Sequence, residues 1–270
     1  MPPNQYNDIT KSISCQEPKR IQKEKPKNRP FNKRDDFGKL ADPTLYKNQF
    51  AYALIIYDSQ TNRPLDARIF KTLPTLEAFI KSKHERYGLD LLLHPNPVVL
   101  TKQFYERYRK SKNGAERLQL FSNLSILNDE NILFIDTITI DIDTNYNESI
   151  RVLDELIQLL NIDPETIEII RTKSGNLRAS FSISPLNPRK KNKNKKTNLE
   201  NVKEFVSIIN SFFLSKNLKA DKTFQRINHP VWITKPQQLI KEATKESNFY
   251  ELYNKAKKLQ RTLKLYPNNK

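Results

Sequence analysis

The sequence predicts an α+β fold, with helices flanking a mixed or antiparallel sheet, and three observations lead there. Residues 137–143 alternate Thr and Asp with Ile, the period of a strand buried on one face. The stretches 76–87, 148–160 and 201–214 carry apolar residues at helical spacing instead. The two patterns are mixed along the chain, which sets helices against one sheet.

Taken in order, residues 1–46 hold several Pro, many Lys and few large apolar residues, the composition of a disordered basic arm. Structure is expected to begin with a strand over 50–57. Asp58 to Pro64 is a turn, and Ala67 to Phe70 is a paired second strand. Leu76, Phe79 and Ile80 place a helix over 76–87, stopped by Gly88. Leu91-Leu92-Leu93 is a short buried strand ended by His94-Pro95-Asn96-Pro97. Residues 99–128 read as two helices broken at Asn113-Gly114, with Phe104, Tyr105, Tyr108, Leu118, Leu120 and Phe121 as core candidates. After the Asp-bearing strand, Asn147 or the residue next to it caps an amphipathic helix over 148–160. Residues 167–171 and 179–183 pair antiparallel around Lys173-Ser174-Gly175-Asn176. A basic loop from Asn187 to Lys196 leads into the helix 201–214. A polar stretch with Asp221, Arg226 and Trp232 follows, and one or two basic helices cover about 236 to 264. The chain thus divides into a basic arm (1–46), a folded unit (47–235) and a basic helical extension (236–270).

Charge narrows the partner. The formal net charge is +17 and the isoelectric point about 9.7, so a polyanion is expected, nucleic acid first. An anionic membrane surface is the rival, but no apolar run approaches the roughly 20 residues of a membrane span. Met1 to Arg34 is polar, rich in Pro and Lys, and unlike a secretory signal. Cys15 stands alone, which excludes an internal disulfide and a Cys-rich zinc site. A cytoplasmic setting is the expectation.

The chemistry centres on Asp141-Ile142-Asp143. As a strand, these residues place Thr137, Thr139, Asp141 and Asp143 in a line on one face. Adjacent like charges repel, and a divalent metal between them relieves this. The plainer alternative is a strand that simply ends in solvent. Asp136 has the wrong parity to join the pair. Two-metal phosphoryl transfer calls for a further carboxylate, for which Asp221 is the candidate. The segment Thr172 to Ala179 reads as a strand–turn–strand whose Gly175 and Asn176 tolerate positive φ. Its backbone N–H groups, the Thr172 and Ser174 hydroxyls, and the Lys173 and Arg178 cations suit a triphosphate; the alternative is an ordinary hairpin. Arg189, Lys190, Lys191, Lys193, Lys195 and Lys196 form a basic loop suited to backbone-dominated, salt-sensitive nucleic-acid contact.

This motif order resembles the archaeo-eukaryotic primase superfamily: an Asp-x-Asp strand, a helix, a Ser/Gly-containing strand pair, then an Asp followed by Arg. The nearest subgroup is the plasmid replication primases called RepB-like. Thr172 to Ala179 resembles its Thr-Ser-Pro-Gly-Asn-aromatic-Gln-Ala signature. Leu91 to Asn96 is similar to its strand and Arg-Pro-Asn turn. Arg226-Ile227-Asn228-His229-Pro230, with Thr234-Lys235-Pro236, resembles its Arg-Leu-Pro-Gly…Asn-Arg-Lys-Pro segment. The resemblance implies an RRM-like primase sheet over about 47–235 and a nucleotidyltransferase acting in replication of a plasmid, virus or other mobile element. It implies two divalent ions, Mg²⁺ or Mn²⁺, held by Asp141, Asp143 and Asp221. It assigns the nucleotide to Ser174, Gly175, Asn176, Arg178 and Arg226, and the partners would be single-stranded DNA template and nucleoside triphosphates. A replicative helicase is left open.

The chain also departs from the pattern. Arg178 and Ala179 stand where many members carry a His, and Asn228-His229 replaces Pro-Gly. The alternative is a non-catalytic nucleic-acid-binding replication initiator or partition protein that keeps the fold. A rolling-circle nickase would need a His-x-His pair, which the chain lacks.

Overall fold

The computed structural model describes residues 50–71, 73–87, 89–123, 128–172, 174–192, 195–219, 226–233 and 238–265. The expected basic arm, Gly88, Lys173, Lys193, Asp221 and residues 234–236 lie outside them. The strands are β1 (Phe50–Tyr57), β2 (Pro64–Phe70), β3 (Asp90–Leu93), β4 (Val98–Val99), β5 (Ile135–Ile142), β6 (Ile167–Arg171), β7 (Leu177–Leu186), β8 (Val231–Trp232) and β9 (Gln238–Lys241). The helices are α1 (Leu73–Tyr87), α2 (Lys102–Lys110), α3 (Gly114–Asn123), α4 (Tyr146–Leu159), α5 (Asn198–Ser215) and α6 (Phe249–Thr262).

The α+β expectation holds, with one change: the helices flank two sheets, not one. The first sheet runs β2-β1-β3-β8, with β4 also on β1; the second runs β5-β7-β6-β9. Every pairing between these strands is antiparallel. β1 is apolar on both sides because both of its faces are covered. Ala51 and Ala53 pack with Phe104, Leu120 and Phe121 of α2 and α3. Tyr52, Leu54 and Ile56 pack with Leu76 of α1.

The second sheet buries one face under α4, α5 and α6, in a cluster that includes Ile138, Ile140, Ile142, Leu153, Phe205, Phe212, Phe249 and Leu252. The region expected to be a helical extension therefore belongs to the main fold. β9 completes the sheet on β6, and α6 closes the same core. Two helix starts also move. Asn145, not Asn147, caps α4, accepting from the Asn147 N–H. Thr197 and Glu200 form a capping box that opens α5 three residues earlier than expected.

The turn after β3 joins the sheets. Asn96 is fully buried. Its Nδ2 donates to the carbonyls of Thr137 (3.1 Å) and Ile227 (3.3 Å), and its Oδ1 accepts from the N–H groups of Asp136 and Thr137. Beside it the buried His94 Nδ1 lies 2.8 Å from the Asn228 carbonyl. The Asn228 N–H donates to Asp129, which pairs with Lys203 of α5. A strand edge that would otherwise be open is thereby satisfied by a side-chain amide. Among the described residues, no helix is long and apolar enough to cross a membrane.

Candidate functional site

Alternation along β5 sets the site. Ile138, Ile140 and Ile142 point into the core and are almost wholly buried. Thr137, Thr139 and Asp141 take the opposite face, as the sequence pattern requires, and Asp143 follows just past the strand end. Thr139 meets Ser180 of β7 across the strands, their hydroxyl oxygens 3.3 Å apart. One step along, Asp141 lies opposite Arg178, whose Nη2 donates to its Oδ2 at 3.3 Å. The Nη1 of Arg178 donates to the Trp232 carbonyl of β8 at 3.1 Å, so this guanidinium spans the two sheets. Glu168 of β6 joins the same face opposite Ser180. Burial holds its carboxyl above the ordinary range, against the pull of the Arg178 cation; Glu242 adds to the rise, and a Ser180 hydrogen bond opposes it. The sequence did signal Glu168, as a lone charge in the apolar run 167–170.

Asp143 lies just past β5 and is exposed. Asn176 Nδ2 donates to its Oδ1 at 3.0 Å. The Asp143 N–H donates to the Lys219 carbonyl at 2.9 Å, and the Lys219 N–H donates to Thr144 Oγ1. The Tyr146 N–H at the start of α4 donates to the Gly175 carbonyl. The end of β5, the 172–176 turn, the start of α4 and the segment entering residue 220 therefore meet at one corner of the second sheet.

The expected site residues divide accordingly. Asp141, Asp143, Ser174, Gly175, Asn176 and Arg178 come together at this corner. Asp221 lies outside the described residues, but Lys219, two residues before it, is bonded to Asp143. Arg226 is exposed, and its neighbour Ile227 is tied through Asn96 to the Thr137 end of β5 instead. Two backbone donors of the 172–176 turn are already engaged within it. Its Gly175 N–H goes to the Thr172 carbonyl and its Asn176 N–H to Thr172 Oγ1. Gly175 has φ +81°, the left-handed conformation the turn demands. Arg178 is buried against Asp141, so a phosphate cannot reach it as freely as its position in the sequence suggests.

The basic loop is partly structural. Arg189 donates to the carbonyls of Ile132 and Glu130, and Lys196 pairs with Glu204. Lys190, Lys191 and Lys195 are exposed, and Lys193 lies outside the described residues.

The oxygen donors suit a hard divalent ion such as Mg²⁺ or Mn²⁺. Among the described residues, however, no three His, Cys, Asp or Glu group together to hold a metal. Of the two candidate carboxylates that are described, Asp141 is already paired with Arg178.

No known protein family and no curated protein matches the chain. Among solved structures it is similar to one described as the catalytic domain of primase Repb' in complex with initiator DNA. The match has 10% identity and a TM-score of 0.39, covering 79% of this chain and 89% of that one.

Proposed function

We propose that this chain is a primase-type nucleotidyltransferase of a plasmid, virus or other mobile element. It extends a short primer on single-stranded DNA from nucleoside triphosphates. The observation that carries the reading is the corner at the end of β5. Asp141 faces Arg178 there, Asp143 just past the strand end meets Asn176, and Lys219 is bonded to Asp143.

In this reading Asp143 and Asp221 hold Mg²⁺ or Mn²⁺, with the Asn176 amide orienting Asp143. Once bound, the ion neutralises triphosphate charge and lowers the pKa of the primer 3′-hydroxyl. The exposed Ser174 hydroxyl meets phosphate at the corner, and exposed lysines hold the template backbone.

The ion pair between Asp141 and Arg178 favours a second reading, a nucleic-acid-binding replication protein that keeps the fold without catalysis. Primer synthesis from labelled nucleotides on single-stranded DNA with Mn²⁺ separates the two. The expected result is synthesis by the wild type and only background from Asp143→Ala and from the Asp141→Ala/Asp143→Ala double variant. Equal synthesis by all three would sink the assignment of the Asp pair. DNA binding with no synthesis in any of them would establish the second reading.

A further inference from the structure

We infer that Arg178 is a resident cation of the Asp pair, so that the site takes a single divalent ion, at Asp143, in place of the two that the resemblance implies. The inference deepens the cation-site reading above and rests on it.

The argument starts from register. Arg178 sits directly across from Asp141 on the neighbouring strand, so the sheet itself delivers the guanidinium to that carboxylate. The contact is enclosed: the Arg178 and Asp141 side chains are 8% and 16% exposed. The guanidinium is also held from the far side by the Trp232 carbonyl. Swinging it away would strand a carboxylate and a carbonyl in a closed setting, which is costly. A guanidinium is a permanent cation at working pH. A divalent ion bridging to Asp141 would therefore lie a few ångströms from a fixed like charge, in surroundings that screen it poorly. Glu168, on the strand at the other side of β7, also interacts electrostatically with this cation.

Asp143 differs on each point. It is exposed, and its side chain meets the amide of Asn176, a group that orients a carboxylate without cancelling its charge. The sheet thus separates two carboxylates that look equivalent in sequence. One is matched internally, and the other is left to draw an ion from solvent. Arg178 acts through Asp141 and is a positioning residue.

The test is a Mn²⁺ titration of the full chain, with free ion counted by electron paramagnetic resonance. The wild type should bind one Mn²⁺, and Asp143→Asn should lose it. Arg178→Met, close in length but uncharged, should admit a second ion or bind the first at least tenfold more tightly. Arg178→Lys keeps the charge and should keep the count of one. Two ions in the wild type would overturn the inference while the cation site stands, as would an unchanged count and affinity in Arg178→Met. No bound ion in the wild type would remove the site reading itself. Should Arg178→Met not fold, the wild-type and Arg178→Lys counts still decide.

Discussion

Asp141 and Asp143 are two residues apart and chemically identical, yet removing them should cost very different amounts. Asp143→Ala leaves an exposed Asn176 amide that water can satisfy, a change within about 0.5 kcal/mol. Asp141→Ala leaves an enclosed guanidinium without its counter-charge, a loss of about 3–5 kcal/mol. Urea unfolding of the two variants measures the gap, and equal midpoints would contradict an enclosed pair. His94 carries a second test at this scale. Burial lowers its pKa from 6.5 to about 4; the nearby His229 lowers it further, and the bond to the Asn228 carbonyl opposes the shift. The unfolded chain takes up this proton below pH 6.5, whereas the folded chain does not until about pH 4. Stability is therefore full above pH 6.5 and declines as pH falls from 6.5 toward 4, by about 3 kcal/mol from this group. His94→Gln should flatten the stability curve in that window; an unchanged slope would show that His94 does not set it. The Asp pair was legible in the sequence because alternation alone assigns a face. The role of Arg178 was not. Spacing locates a strand, but only register says which residue lies opposite.

Two glycines separate steric from conformational demand at the level of the element. Both were read from sequence as turn residues. At Gly114, the first residue of α3, a Cβ would stand 2.1 Å from the Leu65 carbonyl oxygen, with Asp66 backbone and side chain at 3.2 Å. This glycine lets α3 approach β2. At Gly175 a Cβ would meet nothing within 4 Å, and the demand is the positive φ alone. Gly114→Ala should cost about 1–3 kcal/mol or more by forcing helix from strand. Gly175→Asn should stay near wild type, since Asn tolerates that conformation. Thermal unfolding compares them, and the reverse order would refute the close approach. Length explains which elements could be read in advance. α1, α2, α3, α4 and α5 each carry several turns of apolar spacing, and each was anticipated. β4 and β8 have two residues each and β9 has four, too short for a period of two to stand out. Without these short strands, the anticipated ones could not be sorted into two sheets.

Across the whole molecule, the +17 charge does not act evenly. Within the basic loop, Arg189 and Lys196 are committed to the fold, while Lys190, Lys191 and Lys195 face solvent. Replacing those three lysines with Ala should reduce the salt slope of single-stranded DNA binding by up to about 2, at about 0.7 per phosphate contact. Arg189→Ala should lower stability and leave its DNA contribution small. Fluorescence anisotropy across a salt series reads the slopes, and an unchanged slope in the triple variant would place the DNA elsewhere. One feature of the first sheet also bears on how the chain is made. Leu92 of β3 pairs with Trp232 of β8, about 140 residues later. At a synthesis rate of about 5–20 residues per second, β3 waits on the order of ten seconds for that neighbour. Through that interval the nascent chain carries an open strand edge beside Leu91, Leu92 and Leu93, the kind of edge that pairs with other chains. The yield of folded protein is then a matter of timing on the ribosome, set by how quickly the last strand arrives.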